Sequence, residues 1–300
     1  MNSELPNSAD LPHRYEIRFA GHRVRLGTDS PNLAQDVCRL YGDHCSAIPA
    51  TEPLDLAFVA AESGEEEKFR MWLRKDDKTA ADRPITRPHA MALVRERVQY
   101  DLVDEHSERL LFHSAAAARN GRCVLFPASS GSGKTTLAGW IQGQDYQLLS
   151  DELLAIDASG MVTGFPQALN VKHHGMDVLR GFPWLASRFD EAIPTSTGCL
   201  LPWIGLPEDH GTPLALVVFP HFAEGQELSV TPLSVGLTVS GLLETLLNAR
   251  NLPNMGVPMV TAVCRGVPGF RVRYGDLDAL GAWLDAFLDQ PSLAPAANGE

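Results

Sequence analysis

The stretch Ala128-Ser129-Ser130-Gly131-Ser132-Gly133-Lys134-Thr135 constrains this 300-residue chain more than any other. It lies between a short apolar run, Cys123–Phe126, and a run with helical character, Thr136–Ile141. The pattern G-x-x-x-x-G-K-[ST] between a strand and a helix cradles phosphate, and Ala128 stands here in place of its first glycine. Each residue type has a chemical reason. Glycines let backbone N–H groups turn inward as a concave anion nest. The helix that follows adds the positive end of its dipole. Lys134 has the reach for the β- and γ-phosphates, and the Thr135 hydroxyl can ligate Mg²⁺. The phosphate contacts fall to Ser129, Ser130, Gly131, Ser132, Gly133, Lys134, Thr135 and Thr136. The bland alternative is a Gly/Ser-rich loop with a chance Gly-Lys-Thr, and the strand before it and helix after it weigh against that. The pattern does not by itself separate kinase, ATPase and GTPase.

An acidic pair narrows the choice. Tyr146–Leu149 reads as a short strand ending in Ser150-Asp151-Glu152, and Asp151 comes only 16 residues after Thr135. That interval holds one helix and one strand, so the acids belong on a strand neighbouring the one that enters the loop. An acid this close suits a kinase, where it holds Mg²⁺ or takes a proton from an acceptor hydroxyl. Without the loop, an exposed strand end would be the better reading of the pair.

The segment FHSAAAARNGRCVLFPASSGSGKTTLAGWIQGQDYQLLSDELLAID resembles the catalytic core of the HPr serine kinase/phosphorylase family and its divergent relatives. His113, 15 residues before Ala128, stands where that family has a histidine ahead of the loop strand. The resemblance implies an α/β (α+β) P-loop core related to phosphoenolpyruvate carboxykinase. It implies His113 near the phosphates or the acceptor, Lys134 and Thr135 on ATP-Mg²⁺, and Asp151 as general base. Glu152 takes the place of the family's second Asp, and with Thr135 it is the expected metal ligand. The likeness covers about residues 110–172, and its last part, GFPQALNVK (Gly164–Lys172), is similar to a Phe-Pro…Leu-Lys stretch of HPr-kinase-like relatives. The Arg/Gly/Asn-rich segment of the bifunctional enzymes is missing, and the N-terminal part does not resemble their regulatory domain. The chain therefore resembles the HPr-kinase-related proteins rather than the bifunctional enzymes.

The rest of the sequence sets boundaries. Net charge is −12, and residues 101–300 carry 11 Lys/Arg against 21 Asp/Glu. Such a surface repels phosphate backbones, which excludes nucleic acid as the expected partner. Five scattered cysteines without a Cys-x-x-Cys pair argue against a disulfide framework and a structural zinc site. The first residues lack an apolar core of a signal peptide, and the longest apolar runs, such as Leu214–Pro220, fall far short of the ~20 residues of a membrane span. The expected location is the cytoplasm, with no membrane partner.

Alternation at Tyr15, Ile17, Phe19 and at His22, Val24, Leu26, around Ala20-Gly21, predicts a hairpin. Ser30-Pro31 predicts a helix start. Strands are expected at Leu54–Phe58, Phe69–Leu73 and Leu110–His113, and a helix from Pro88 to His106. Asn120-Gly121 predicts a tight turn. Leu242, Leu243, Leu246 and Leu247 read as a helix face that Arg250 could cap; Arg250 or Arg265 could also serve a transferring phosphoryl. His173-His174 reads as a solvated turn and Trp184, Trp203 and Trp283 as core. The expected division is an α+β domain over 1–106, a catalytic domain over 107–290 and a loose tail over 291–300. The expected activity is transfer of the γ-phosphoryl group of ATP to a hydroxyl of a protein, peptide or small molecule, by an enzyme that could self-associate. Two alternatives remain at this point. One is a non-catalytic ATP-binding regulatory module. The other is a small-molecule kinase of nucleoside-monophosphate-kinase type, disfavoured by the hairpin before the loop.

Overall fold

In a computed structural model the described residues are 10–61, 67–74, 78–79, 83–128, 132–165, 167–202 and 211–289. The chain begins with strands β1 (His13–Phe19) and β2 (His22–Thr28), joined where Ala20 and Gly21 take φ of 51° and 91°. Left-handed backbone at both turn positions matches the twist of a two-residue hairpin. Helix α1 (Pro31–Tyr41) follows, with the Ser30 hydroxyl accepting from Leu33 N–H at 3.1 Å and proline in its first turn, as expected from the sequence. Then come β3 (Cys45–Ala47), β4 (Leu56–Ala61), β5 (Lys68–Leu73), β6 (Lys78–Thr79), β7 (Ile85–Thr86) and α2 (Arg87–Asp104).

The middle of the chain forms β8 (Leu110–Arg119), β9 (Arg122–Pro127), α3 (Lys134–Ile141), β10 (Gln147–Ser150), β11 (Leu153–Ile156) and β12 (Met161–Gly164). After these come β13 (Leu169–Lys172), α4 (Met176–Arg180), α5 (Pro183–Ala186), β14 (Ile193–Thr195) and β15 (Gly198–Leu201). The last part contains β16 (Thr212–Phe222), β17 (Ser229–Leu233), α6 (Val235–Leu243), α7 (Val257–Cys264), β18 (Gly269–Tyr274) and α8 (Leu277–Leu288). No helix among the described residues is long and apolar enough to cross a membrane.

Two compact units result, both mixed α/β. The first joins residues up to Glu105 with Pro166–Gly205, so the second is interrupted by a segment that the sequence reading ran through as part of 107–290. In the first unit a sheet ordered β3-β1-β2-β4-β5-β6, with β7 also on β5, is covered by α1 and α2. Helix α2 buries Met91, Val94, Val98 and Leu102 and also packs against β14 of the small β13-β15-β14 sheet.

The second unit runs from His106 to Phe165 and resumes at Leu206. Its pairings β8–β11, β11–β12, β12–β16, β16–β9 and β9–β8 close on themselves, and β10, β18 and β17 extend from that ring. Strand β8 is longer than the expected Leu110–His113. Its run Ser114–Ala118 has low strand propensity, yet it pairs with β9 on one side and its end pairs with β10 on the other. Tertiary pairing overrides propensity here, and alanines leave room for α3 to pack on β8. The even-numbered residues Leu110, Phe112, Ala116 and Ala118 join a core with Val239, Leu242 and Val260 of α6 and α7. No α3 residue belongs to that core, so α3 lies on the other face of β8, which His113 shares by strand alternation.

The expected helix face Leu242–Leu247 is only half helical. Helix α6 ends at Leu243, and the next residues lie along β8: His113 N–H donates to Thr245 O at 2.9 Å and Leu247 N–H to Leu111 O at 2.8 Å. Asn248 explains the break. It is fully buried, accepts from Leu111 N–H at 3.0 Å, and donates to the carbonyls of His106 and Arg109 at 2.9 and 2.8 Å. Pinning that amide draws the chain out of the helix and onto the strand. Trp184 is 37% exposed and stacks on Phe182 rather than entering the core. Trp203 and the expected tail lie outside the described residues.

Candidate functional site

The site is built at the ends of three strands. β9 and β10 are each antiparallel to β8, so they run parallel to one another and finish at the same edge. Register then aligns the groups singled out in the sequence. Ser114 of β8 pairs with Pro127, the last residue of β9, and its N–H donates to Glu152 O on the other side at 3.2 Å. His113 is the next residue of β8 and pairs with Leu153. The start of the loop, the histidine strand and the acidic pair therefore occupy one row. Two strand spacings separate Pro127 from Glu152, about 10 Å.

The bend that carries the acids has its own local cause. The Ser150 hydroxyl accepts from Glu152 N–H at 3.2 Å and Leu153 N–H at 3.1 Å, and donates to Phe165 O at 3.3 Å. This turn displaces Asp151 from regular pairing between β10 and β11. Asp151 is buried and Glu152 half-buried. Gly164 ends β12 against the backbone of Leu149, and a Cβ there would overlap the Leu149 carbonyl oxygen. The GFP segment is thus glycine-dependent for steric reasons.

On the β9 side, α3 begins at Lys134 behind Gly133, whose φ of 90° only glycine adopts freely. Lys134 is buried, and its Nζ donates back across the loop to the Ala128 carbonyl oxygen. Ala128 and Lys134, the two ends of the phosphate-loop pattern, are in this way tied together. Ser132, Thr135 and Thr136 are half-buried, the two threonines in the first turn of α3. Ser129, Ser130 and Gly131 lie outside the described residues. Helix α3 packs on β8 and β10, the strands that hold His113 and the approach to Asp151.

The two arginines considered for a transferring phosphoryl both belong to the second unit. Arg250 is exposed in a turn at Ala249–Asn251, and Arg265 is exposed at the end of α7, where a cation suits the helix dipole. Lys172 and His173-His174 belong to the first unit, where both histidines are exposed. No cluster of three or more His, Cys, Asp or Glu suited to a metal occurs among the described residues. Sequence reasoning missed Ser114, Thr245 and Asn248. An asparagine inside Leu-Leu-Asn-Ala-Arg was the one visible signal, since a buried amide within an apolar run needs partners. No protein-family model matches the chain, and no curated protein matches it.

Proposed function

We propose that this protein is an ATP-dependent phosphotransferase of HPr-kinase-related type that passes the γ-phosphoryl group to a hydroxyl. The observation that carries the reading is the register that sets Asp151 and Glu152 in one row with the end of β9, while Lys134 folds onto Ala128 at the loop. In this reading the loop and the α3 N-terminus bind the triphosphate, and Lys134 neutralises charge on its β- and γ-oxygens. A bound Mg²⁺ would supply charge shielding of the phosphates and would need only one or two protein oxygens beside phosphate and water. Thr135 and Glu152 fit that modest demand, and no all-protein cage is required. Asp151 orients the acceptor hydroxyl and takes its proton, and His113 supports the acceptor side of the row. Phosphoryl transfer asks the protein mainly for positioning and charge neutralisation, which a site on paired strands supplies.

Paired measurements test this. Lys134→Ala is expected to weaken Mg-ATP binding by ~2–3 kcal/mol in calorimetry, as for a lost charged hydrogen bond. Asp151→Asn is expected to keep ATP affinity or raise it slightly and to lower phosphate transfer, including transfer to water, by ~10²–10⁴-fold. Unchanged ATP affinity in Lys134→Ala would remove the loop as the nucleotide site. Transfer at the wild-type rate in Asp151→Asn would remove Asp151 from the chemistry. ATP binding with no transfer by the wild type would leave the regulatory-module reading in its place.

A further inference from the structure

Phe222 is the last residue of β16 and keeps 49% of its surface exposed, among the most exposed large apolar side chains of the described residues. Its place is well defined. β16 runs parallel to β9, so Phe222 emerges at the same sheet edge as the loop. A Cβ built on Gly133 would lie 3.9 Å from the Phe222 Cβ, which puts the ring's base in van der Waals range of the α3 N-terminus.

The ring is also held. Phe222 pairs with Tyr274 at the end of the parallel strand β18, and the rings meet edge to face at 5.7 Å and 68°. Tyr274 is buried, so it is a fixed support. The next residue locks the turn: Ala223 N–H donates to Tyr274 O at 2.9 Å, and Gln226 N–H to Ala223 O at 3.0 Å. Gly275 presses against that turn so closely that any side chain there would collide with Gln226 and Ala223 backbone atoms. A half-exposed aromatic face thus lies beside the loop of the proposed nucleotide site, with its orientation set from behind. The carboxyl ends of parallel strands are where open α/β sheets take ligands.

We propose that Phe222 is the stacking platform for the nucleobase of the bound nucleotide. The inference rests on the nucleotide reading above and adds the part of the ligand that the loop does not touch. An aromatic ring offers its face to any planar base, so the platform favours a nucleoside triphosphate over a bare polyphosphate without demanding one base.

The test compares Mg-ATP with Mg-tripolyphosphate, which lacks base and ribose. Phe222→Ala is expected to weaken Mg-ATP binding about tenfold, within the range for loss of one base stack. It is expected to leave Mg-tripolyphosphate affinity within about twofold of the wild type. Phe222→Trp is expected to restore ATP affinity and to show tryptophan fluorescence quenched by ATP but not by tripolyphosphate. Because the side chain is half exposed, circular dichroism and melting temperature should stay near wild type. Equal ATP affinity in wild type and Phe222→Ala would overturn the platform while leaving the nucleotide reading intact. So would equal weakening toward both ligands. A wild type that binds neither ligand overturns the nucleotide reading and the platform with it.

Discussion

Cys38 and Cys45 read in the sequence as two of five scattered thiols, seven residues apart. Folding makes them neighbours. Helix α1 packs over β1 and β3, Gly42 turns the chain back with φ 53°, and Cys45 lands on β3 opposite Ile17. The Cys45 thiol donates to Cys38 and lowers its pKa to about 6, with the Tyr15 hydroxyl helping and partial burial opposing. Cys45 moves the opposite way, raised first by that hydrogen bond and then by its own burial. The thiolate is the nucleophile, so Cys38 is expected to react with iodoacetamide at pH 7 and to lose reactivity only as pH falls through about 6. Cys45→Ala removes the donor and should move that midpoint upward, toward the ordinary ~8.5. Mass spectrometry of the Cys38 peptide across pH checks it. A midpoint that stays in place would show that Cys45 is not the donor that matters. Nothing in residue spacing alone could reveal this pair, because it depends on how far α1 runs before it turns.

Strand β8 carries His113 and pairs with both β9 and β10, and Asn248 holds its first half in place. Asn248→Ala would leave the buried Leu111 N–H without its partner and take a donor from two carbonyls, that of His106, which keeps Asn251 Nδ2 at 3.4 Å, and that of the half-buried Arg109. At roughly 1–3 kcal/mol for a buried group left unsatisfied, a loss of about 2–3 kcal/mol in unfolding free energy is expected. Chemical denaturation measures it. A loss below ~1 kcal/mol would mean that water replaces the amide. The same elements show what the sequence could disclose. Turns such as Ala20-Gly21 and Asn120-Gly121, the Ser30 cap and the strand and helix on either side of the Gly-Lys-Thr loop follow from local chemistry, and they were legible. The true length of β8 and the early end of α6 were not. Ala115–Ala118 becomes strand because β9 and β10 flank it, and Leu246 leaves the helix because a distant amide is satisfied at β8. The candidate site and the proposed platform divide in the same way. Lys134, Asp151 and His113 stood out by motif and spacing, whereas Phe222 needed the parallel pairing of β16 with β9 to reach the loop.

For the whole molecule, the order of the chain and the order of folding units differ. The first unit needs Pro166–Gly205 as well as residues up to Glu105, because β14 covers α2. A fragment ending at residue 105 would leave that part of α2 in water. It is expected to unfold at lower denaturant than a protein in which a short linker replaces 106–165 and the chain stops at 205. Equal midpoints would show that the β13-β15-β14 sheet adds nothing to the unit. The interleaving also has a kinetic meaning during synthesis. When residue 105 leaves the ribosome, the first unit still lacks β13–β15, and 97 more residues must be made before residue 202 appears. At ~5–20 residues per second that is a wait of roughly 5–20 s. During that wait β8 to β12 come into being without β16, the strand that closes their ring. Both units are therefore unfinished at the same moment, with apolar strands exposed. The nascent chain has a window in which chaperone binding competes with misfolding, where a chain of two sequential domains would have completed one before beginning the other.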